Sequence, residues 1–245
     1  MSIPICIIPS NDNVWVAASM LSRISDITNC LVVVEDEFPV GTIGAFEILD
    51  GLHKNPTSKY FDESVTKIMN ADFYIDSRNT DVASILRKMN RTREPFVIID
   101  NEGVGFSQFS IRQTLEIGSL CKTDFRASSF PKKHISTFKR DDKIIDVVKK
   151  LEQARDRVVF LNDQVSFVNH GVLLEKIKEL NTTPIDNLLD ISASTLKTVT
   201  PTLVSDRLSL SEICKIMLGT RYPCVMTSDQ VITPYDVLGL FCKGI

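Results

Sequence analysis

The sequence is poor in the residues that most catalytic chemistry requires. Its three histidines, His53, His134 and His170, stand at no spacing that sets two of them, or one and a carboxylate, on a single helix face around a metal ion. Six cysteines (Cys6, Cys30, Cys121, Cys214, Cys224 and Cys242) are scattered without a Cys-x-x-Cys pair, which argues against zinc and disulfide frameworks and reads as reduced, mostly core thiols. No Gly-Lys-Ser or Gly-Lys-Thr follows a glycine-rich turn, so the loop that surrounds phosphate with backbone N–H groups is missing. Gly103-Val104-Gly105 opens a dinucleotide fingerprint, but Gln108 stands at its third glycine position. No stretch approaches the roughly 18 apolar residues of a membrane span, and Met1-Ser2-Ile3-Pro4 lacks the charged-then-apolar layout of a secretory leader. The expectation is a cytoplasmic chain with no metal, no cofactor and no catalytic residues.

What is there is a globular composition. With 43% hydrophobic and 24% charged residues, 245 residues suffice for one large domain or two ordinary ones. The formal charge of −3 is uneven: residues 1–120 carry 10 Lys and Arg against 16 Asp and Glu (−6), residues 121–245 carry 18 against 15 (+3). Lys132, Lys133, His134, Lys139 and Arg140 form a basic string, but Asp141 and Asp142 follow and the isoelectric point is about 5.7. A solvated loop explains the string better than a nucleic-acid stripe, which needs a sustained basic face.

Self-similarity organises the rest. One unit recurs four times: an extended segment and polar turn, an amphipathic helix, two short apolar strands, and a second helix. The strand-strand-helix half is clearest: Leu31–Val34, Val40–Ile43 and a helix through Phe46–Leu52; Phe96–Ile99, Val104–Phe106 and Ser110–Leu120; Val158–Leu161, Val165–Val168 and Leu173–Leu180; Cys224–Met226, Val231–Ile232 and Tyr235–Phe241. Apolar residues three and four apart mark the upstream helices, as in Ile144, Val147, Val148 and Leu151, and core packing accounts for these stripes. Taking Glu47, Ile111, Val172 and Asp236 as equivalent points, copy one steps to copy three by the same distance as copy two to copy four. The chain reads as a duplicated pair: 1–120 (units 1–56 and 57–120), an aperiodic linker at 121–133, and 134–245 (units 134–181 and 182–245).

These residues resemble the CBS domain family, whose units occur in tandem pairs and bind adenine nucleotides or related adenosyl ligands. The resemblance covers essentially the whole chain. It is carried best by the last copy, through Lys197-Thr198-Val199-Thr200-Pro201, Leu203–Glu212, Arg221-Tyr222-Pro223-Cys224-Val225 and Val231–Leu238 in order. It implies an α/β (α+β) fold of duplicated tandem CBS pairs, each unit a small three-stranded sheet with two helices. It further implies a ligand cleft between copies three and four, with Thr200, Val204 and the Tyr222-Pro223 backbone around the adenine end, and face-to-face association into discs, as a homodimer or an intrachain pseudo-dimer.

Thr233-Pro234-Tyr235-Asp236 has a physical reading of its own. Pro234 suits the first position of a helix whose N-terminus offers free N–H groups and a positive dipole end to an anion. Thr233 would donate to a phosphate, Asp236 would accept from both hydroxyls of a ribose, and Arg221 is a further phosphate partner. Thr-x-x-Asp is equally a capping box that satisfies the helix itself, and the spacing leaves both readings open. Copy one keeps the acid but not the hydroxyl (Gly44, Glu47), giving a weaker second site. Copy two offers Ser107 and Ser110 only with one residue deleted and otherwise puts Ile111 at the acid position. Copy three has Asn169, a helix N-cap, followed by Val172.

The function expected from this pattern is regulatory, an energy-sensing type of module. AMP, ADP, ATP or S-adenosylmethionine would bind in the second pair, and its differential affinity for two arrangements would shift conformation or assembly and so signal to an effector protein in trans. The alternative is a protein-interaction scaffold whose degenerate sites bind nothing. Residues 125–245 alone are expected to retain most of the ligand binding.

Overall fold

The computed structural model describes residues 3–24, 30–154, 157–163, 165–179 and 190–243. The boundary expected at 181/182, the helix end at Leu180, and Met1 and Ser2 lie outside the described residues.

All four copies run strand, helix, strand, strand, helix. After a short β1 (Ile3–Pro4), copy one comprises β2 (Ile7–Pro9), α1 (Val14–Ile24), β3 (Cys30–Glu35), β4 (Phe38–Gly44) and α2 (Ala45–Lys54). Copy two comprises β5 (Ile75–Ser77), α3 (Val82–Thr92), β6 (Phe96–Asp100), β7 (Phe106–Ser110) and α4 (Ile111–Leu120). Copy three is β8 (Thr137–Phe138), α5 (Ile144–Gln153), β9 (Val158–Leu161), β10 (Phe167–Asn169) and α6 (His170–Glu179). Copy four is β11 (Thr202–Leu203), α7 (Leu210–Leu218), β12 (Val225–Met226), β13 (Val231–Ile232) and α8 (Pro234–Cys242).

In every copy the first strand lies parallel to the second and the third antiparallel to it, with Ile7 opposite Val32, Ile75 opposite Ile98, Thr137 opposite Phe160 and Thr202 opposite Val225. Three copies keep the expected three strands; copy two gains β1 as a fourth, Ile3 facing Gln108 across β7. The apolar run of β3 is buried from Cys30 through Val33, as a central strand covered on both faces requires. The helices bury one stripe each: Ile144, Val147, Val148 and Leu151 in α5, and Leu210, Ile213, Cys214 and Met217 in α7. Polar caps start them. Asp81 accepts from the Ser84 N–H at 2.9 Å, and the Ser209 N–H donates to Glu212 at 2.9 Å.

One strand is displaced from its expected place. Val104 and Gly105 precede β7, because Glu102 (φ 56°), Gly103 (φ 88°) and Gly105 (φ 102°) form a left-handed turn that two glycines accommodate, and the strand begins at Phe106.

The copies do not cluster in sequential order. One compact unit takes Met1–Ile5, Phe73–His134 and Pro201–Ile245, that is copies two and four; the other takes Cys6–Asp72 and Ile135–Thr200, copies one and three. In the first unit, α4 lies on α7 and α8, and α3 lies on α8. Leu115 of copy two shares a core with Leu210, Ile213, Met217, Val225, Ile232 and Val237 of copy four. Gly118 permits the close approach of α4 and α7, since a Cβ there would stand 2.5 Å from the Cys214 Sγ. Ser211 donates to the Ser119 carbonyl beside it. In the second unit, α1 packs on α6 and α2 on α5 and α6. The Tyr60 hydroxyl, fully buried, donates to the Ile48 carbonyl at 2.8 Å, and the Phe160 and Phe167 rings meet at a 36° tilt with centroids 5.5 Å apart.

The segment 121–133, expected as a linker, packs within the first unit. Ala127 and Phe130 are buried, Phe130 meets Phe125 edge-on at 4.9 Å, and the Ala127 and Ser128 N–H groups donate to the carbonyls of Leu208 and Asp206. Its apolar residues follow a 3-10 turn at Ala127–Ser129, so they carry neither helical nor strand periodicity. The interleaved units divide the charge as unevenly as the halves did: copies two and four with their flanks carry 14 Lys and Arg against 11 Asp and Glu, copies one and three 14 against 20.

Candidate functional site

The β-hairpin of copy four delivers its site residues. Val225 pairs with Ile232, so Tyr222-Pro223 just before β12 and Thr233 just after β13 stand at the same end of the ladder. Thr233 is completely buried and is the N-cap of α8, with Pro234 at the first helical position. Its N–H donates to Asp236 Oδ2 at 2.7 Å and its hydroxyl donates to the same oxygen at 2.9 Å. The capping box is therefore formed, and it fixes a carboxylate in the first turn of a helix. Arg221 lies against the Tyr222 ring at 5.4 Å.

Val204 and Thr200 lie elsewhere in the chain. Val204 follows β11, where its N–H donates to the Met226 carbonyl at 2.8 Å, at the end of the ladder away from Thr233, and its side chain packs on the core of α7. Thr200, exposed, is the last residue of the unit built by copies one and three.

Sequence reasoning missed Lys133. Its ammonium donates to Asp236 Oδ2 at 2.5 Å, with side-chain exposures of only 19% and 13% for the two partners. Lys132 pairs with Asp229 of the same hairpin, and this contact raises the lysine pKa and lowers that of the aspartate. The two lysines that suggested nucleic acid are thus neutralised by carboxylates of copy four. Only their run of basic residues was visible in sequence; the 103 residues separating Lys133 from Asp236 carry no local signal of the contact.

The equivalent positions of the other copies separate along the same geometry. In copy one the Gly44 N–H donates to Glu47 Oε2 at 2.7 Å, a carboxylate cap without a hydroxyl. In copy two the cap is Ser110 and its partner Gln113, the Ser110 N–H donating to Gln113 Oε1 at 2.9 Å. Ile111, expected at the acid position, is instead the first, buried residue of α4: the glycine turn shifts the register, and the equivalent of Asp236 is a neutral amide. In copy three Asn169 Oδ1 accepts the Val172 N–H at 3.0 Å, as an N-cap does. Among the described residues, copy four alone joins a cap hydroxyl to a carboxylate.

Copy three holds a different titratable group. His170 opens α6 with its ring edge-on to Phe46 at 6.1 Å, and its Nε2 is buried without a hydrogen-bond partner. Burial, and secondarily the charge of Arg157, lower its pKa from 6.5 to about 3. The unfolded chain binds this proton near pH 6.5 and the folded chain does not until near pH 3, so the stabilising contribution is full above pH 6.5 and is lost as pH falls. Between pH 6.5 and 5 the native protein is expected to lose about 2 kcal/mol more stability than His170→Gln. Urea denaturation at the two pH values checks this, and parallel losses would contradict it.

The six cysteines are free thiols, three of them (Cys30, Cys214, Cys224) buried, and burial pushes Cys214 up to about 12. Among the described residues no group of three or more His, Cys, Asp or Glu is arranged to hold a metal, and no helix is long and apolar enough to cross a membrane.

No sequence-family model matches the chain, and no curated protein matches it in sequence. Solved structures do match in fold. A protein from Methanocaldococcus jannaschii, proposed as an archaeal homologue of γ-AMPK, superposes with a TM-score of 0.83 at 13% identity, over 97% of this chain and 96% of that one. An uncharacterised conserved protein from Pyrococcus horikoshii gives 0.60 at 12% identity over 98% and 96%. A CBS domain protein from Pyrobaculum aerophilum complexed with AMP covers 46% of this chain and 86% of its own, with a TM-score of 0.40 and 18% identity. The fold is that of a chain of four CBS units, each with the same strand order and a capped second helix.

Proposed function

We propose that copy four binds a phosphorylated adenosyl riboside of the AMP, ADP, ATP or S-adenosylmethionine class, and that occupancy biases the conformation or assembly of the protein toward an effector. The observation that carries this reading is the Asp236 carboxylate, fixed in the first turn of α8 by the Thr233 N–H and hydroxyl. A carboxylate so placed accepts from two vicinal ribose hydroxyls, and a deoxy analogue would leave an acceptor unpaired. The N-terminus of α8 favours the negative charge of a phosphate, and copy four belongs to the unit with net positive charge. Copy one, with Glu47 but no hydroxyl, would bind more weakly. The likeness to a protein proposed as an archaeal homologue of γ-AMPK supports a regulatory role. The protein would act in the cytoplasm without catalysis of its own, alone or as a homodimer.

A scaffold with closed sites is the second reading, favoured by one observation: the cap residues of all four second helices already accept or donate within their own copies. Thermal unfolding of the full chain with AMP, ATP and S-adenosylmethionine separates the two. A ligand at 100 times its dissociation constant is expected to stabilise by about 2.7 kcal/mol. A melting temperature indifferent to all three supports the scaffold.

A further inference from the structure

We propose that Cys121 and Cys214 are an oxidisable thiol pair, a modification site at which a disulfide oxidant of the glutathione class joins copy two covalently to copy four. The two stand on packed helices of one unit, Cys121 as the C-cap of α4 and Cys214 within α7. Two contacts hold the helices close there. The Cys214 sulfur lies 2.5 Å from the point where a Cβ of Gly118 would stand, and the Ser211 hydroxyl donates to the Ser119 carbonyl. Residues three apart on a helix share a face, with Cβ positions about 5–6 Å apart, which sets Cys121 one turn beyond Gly118 on the side of that sulfur. The Cys121 N–H completes the turn by donating to the Gly118 carbonyl at 3.2 Å. Its φ of −67° is still helical, so its Cβ keeps this face, and only the chain that follows turns away at a ψ of 130°. Glycine at 118 puts no side chain between the two thiols. Both pack in the core that holds Leu115, Leu210 and Met217, and a charge on Cys121 acts on Cys214.

Exposure orders the reaction. Cys121 is half-buried and meets the oxidant first, whereas Cys214 is buried. The Cys121 thiolate, its proton given to solvent, attacks one sulfur of glutathione disulfide, and the other sulfur leaves as glutathione. The Cys214 thiolate then attacks the Cys121 sulfur of this mixed disulfide, the bond between the two cysteines forms, and a second glutathione leaves. Two protein thiols thereby lose two protons and two electrons, and one oxidant molecule becomes two thiols. Burial, with a smaller contribution from Cys121, pushes the Cys214 thiol up to about 12, so the second step is the slow one. Its rate follows the Cys214 thiolate fraction, which rises about tenfold per pH unit below the pKa. The bridge ties the end of α4 to α7 and holds copies two and four together.

Incubation of the folded full chain with glutathione disulfide, followed by alkylation of the remaining thiols and non-reducing peptide mapping by mass spectrometry, tests this. The native protein is expected to carry glutathione on Cys121 first and to convert it into a peptide linked through Cys121 and Cys214, about tenfold faster for each unit of pH between about 7 and 9. Dithiothreitol is expected to undo the link. In Cys214→Ala the glutathione on Cys121 is expected to persist, and in Cys121→Ser no link to Cys214 is expected to form. A native protein whose Cys121 adduct persists as long as in Cys214→Ala, whose Cys121 resists glutathione disulfide, or whose Cys214 links to a different cysteine overturns the pair. Should Cys214→Ala not fold, the native time course and Cys121→Ser decide by themselves.

Discussion

A fragment spanning residues 125–245 is expected to unfold without a cooperative transition and to show no stabilisation by AMP. That fragment holds copies three and four in sequence, yet each copy packs its helices on a copy left behind: α7 and α8 on α4, α8 on α3, α6 on α1, and α5 on α2. Leu210, Ile213, Cys214, Met217, Val237 and Leu238 are each no more than 1% exposed in the intact protein. Exposing an apolar side chain of this kind costs about 1.5–3 kcal/mol, so losing cover from four or five of them consumes the roughly 5–15 kcal/mol that stabilises a typical protein. Urea titration followed by far-ultraviolet circular dichroism checks it. A sharp transition with an AMP-dependent midpoint would show that consecutive copies fold as a self-sufficient pair.

Asp236→Ala is expected to abolish AMP binding and to destabilise the protein by about 2–4 kcal/mol, whereas Asp236→Asn abolishes binding at a cost of about 1–2 kcal/mol. The difference follows from what each change leaves in place. Alanine removes the acceptor of the Thr233 N–H and hydroxyl, a cap worth about 0.5–2 kcal/mol, and also breaks the Lys133–Asp236 ion pair. Breaking a fully buried ion pair costs about 3–5 kcal/mol, and the cost here is smaller because the lysine side chain keeps 19% exposure. Asparagine keeps an oxygen for the cap and loses the charge. Chemical denaturation of the two variants beside the native chain measures both costs; equal stability of all three would mean that neither cap nor ion pair contributes.

The repeat and the fold of each copy were legible because they are written locally. Val32-Val33-Val34 and Phe96-Val97-Ile98-Ile99 read as buried strands, and the stripe of α5 reads as one buried helix face, without knowledge of any partner. Which copy covers which face was not legible. An apolar stripe states that something covers it but does not name the covering helix, and the even spacing of the copies favoured pairing along the chain over the interleaving observed. The register of copy two failed for a local reason, the left-handed turn at Glu102–Gly105, which moved the cap to Ser110 and its partner to Gln113. Of the candidate site, Thr233 and Asp236 were visible as a four-residue motif and are in hydrogen-bond contact. Lys133 was not, because an ion pair across 103 residues leaves no pattern in either segment.

Isothermal titration of AMP into the full chain, with Asp236→Asn beside it, tests most directly whether Asp236 receives the sugar of an adenosyl ligand. The native protein is expected to release or absorb heat with one principal site per chain, and the variant, still folded by circular dichroism, to give none. Equal binding heats and affinities in the two proteins would contradict the assignment.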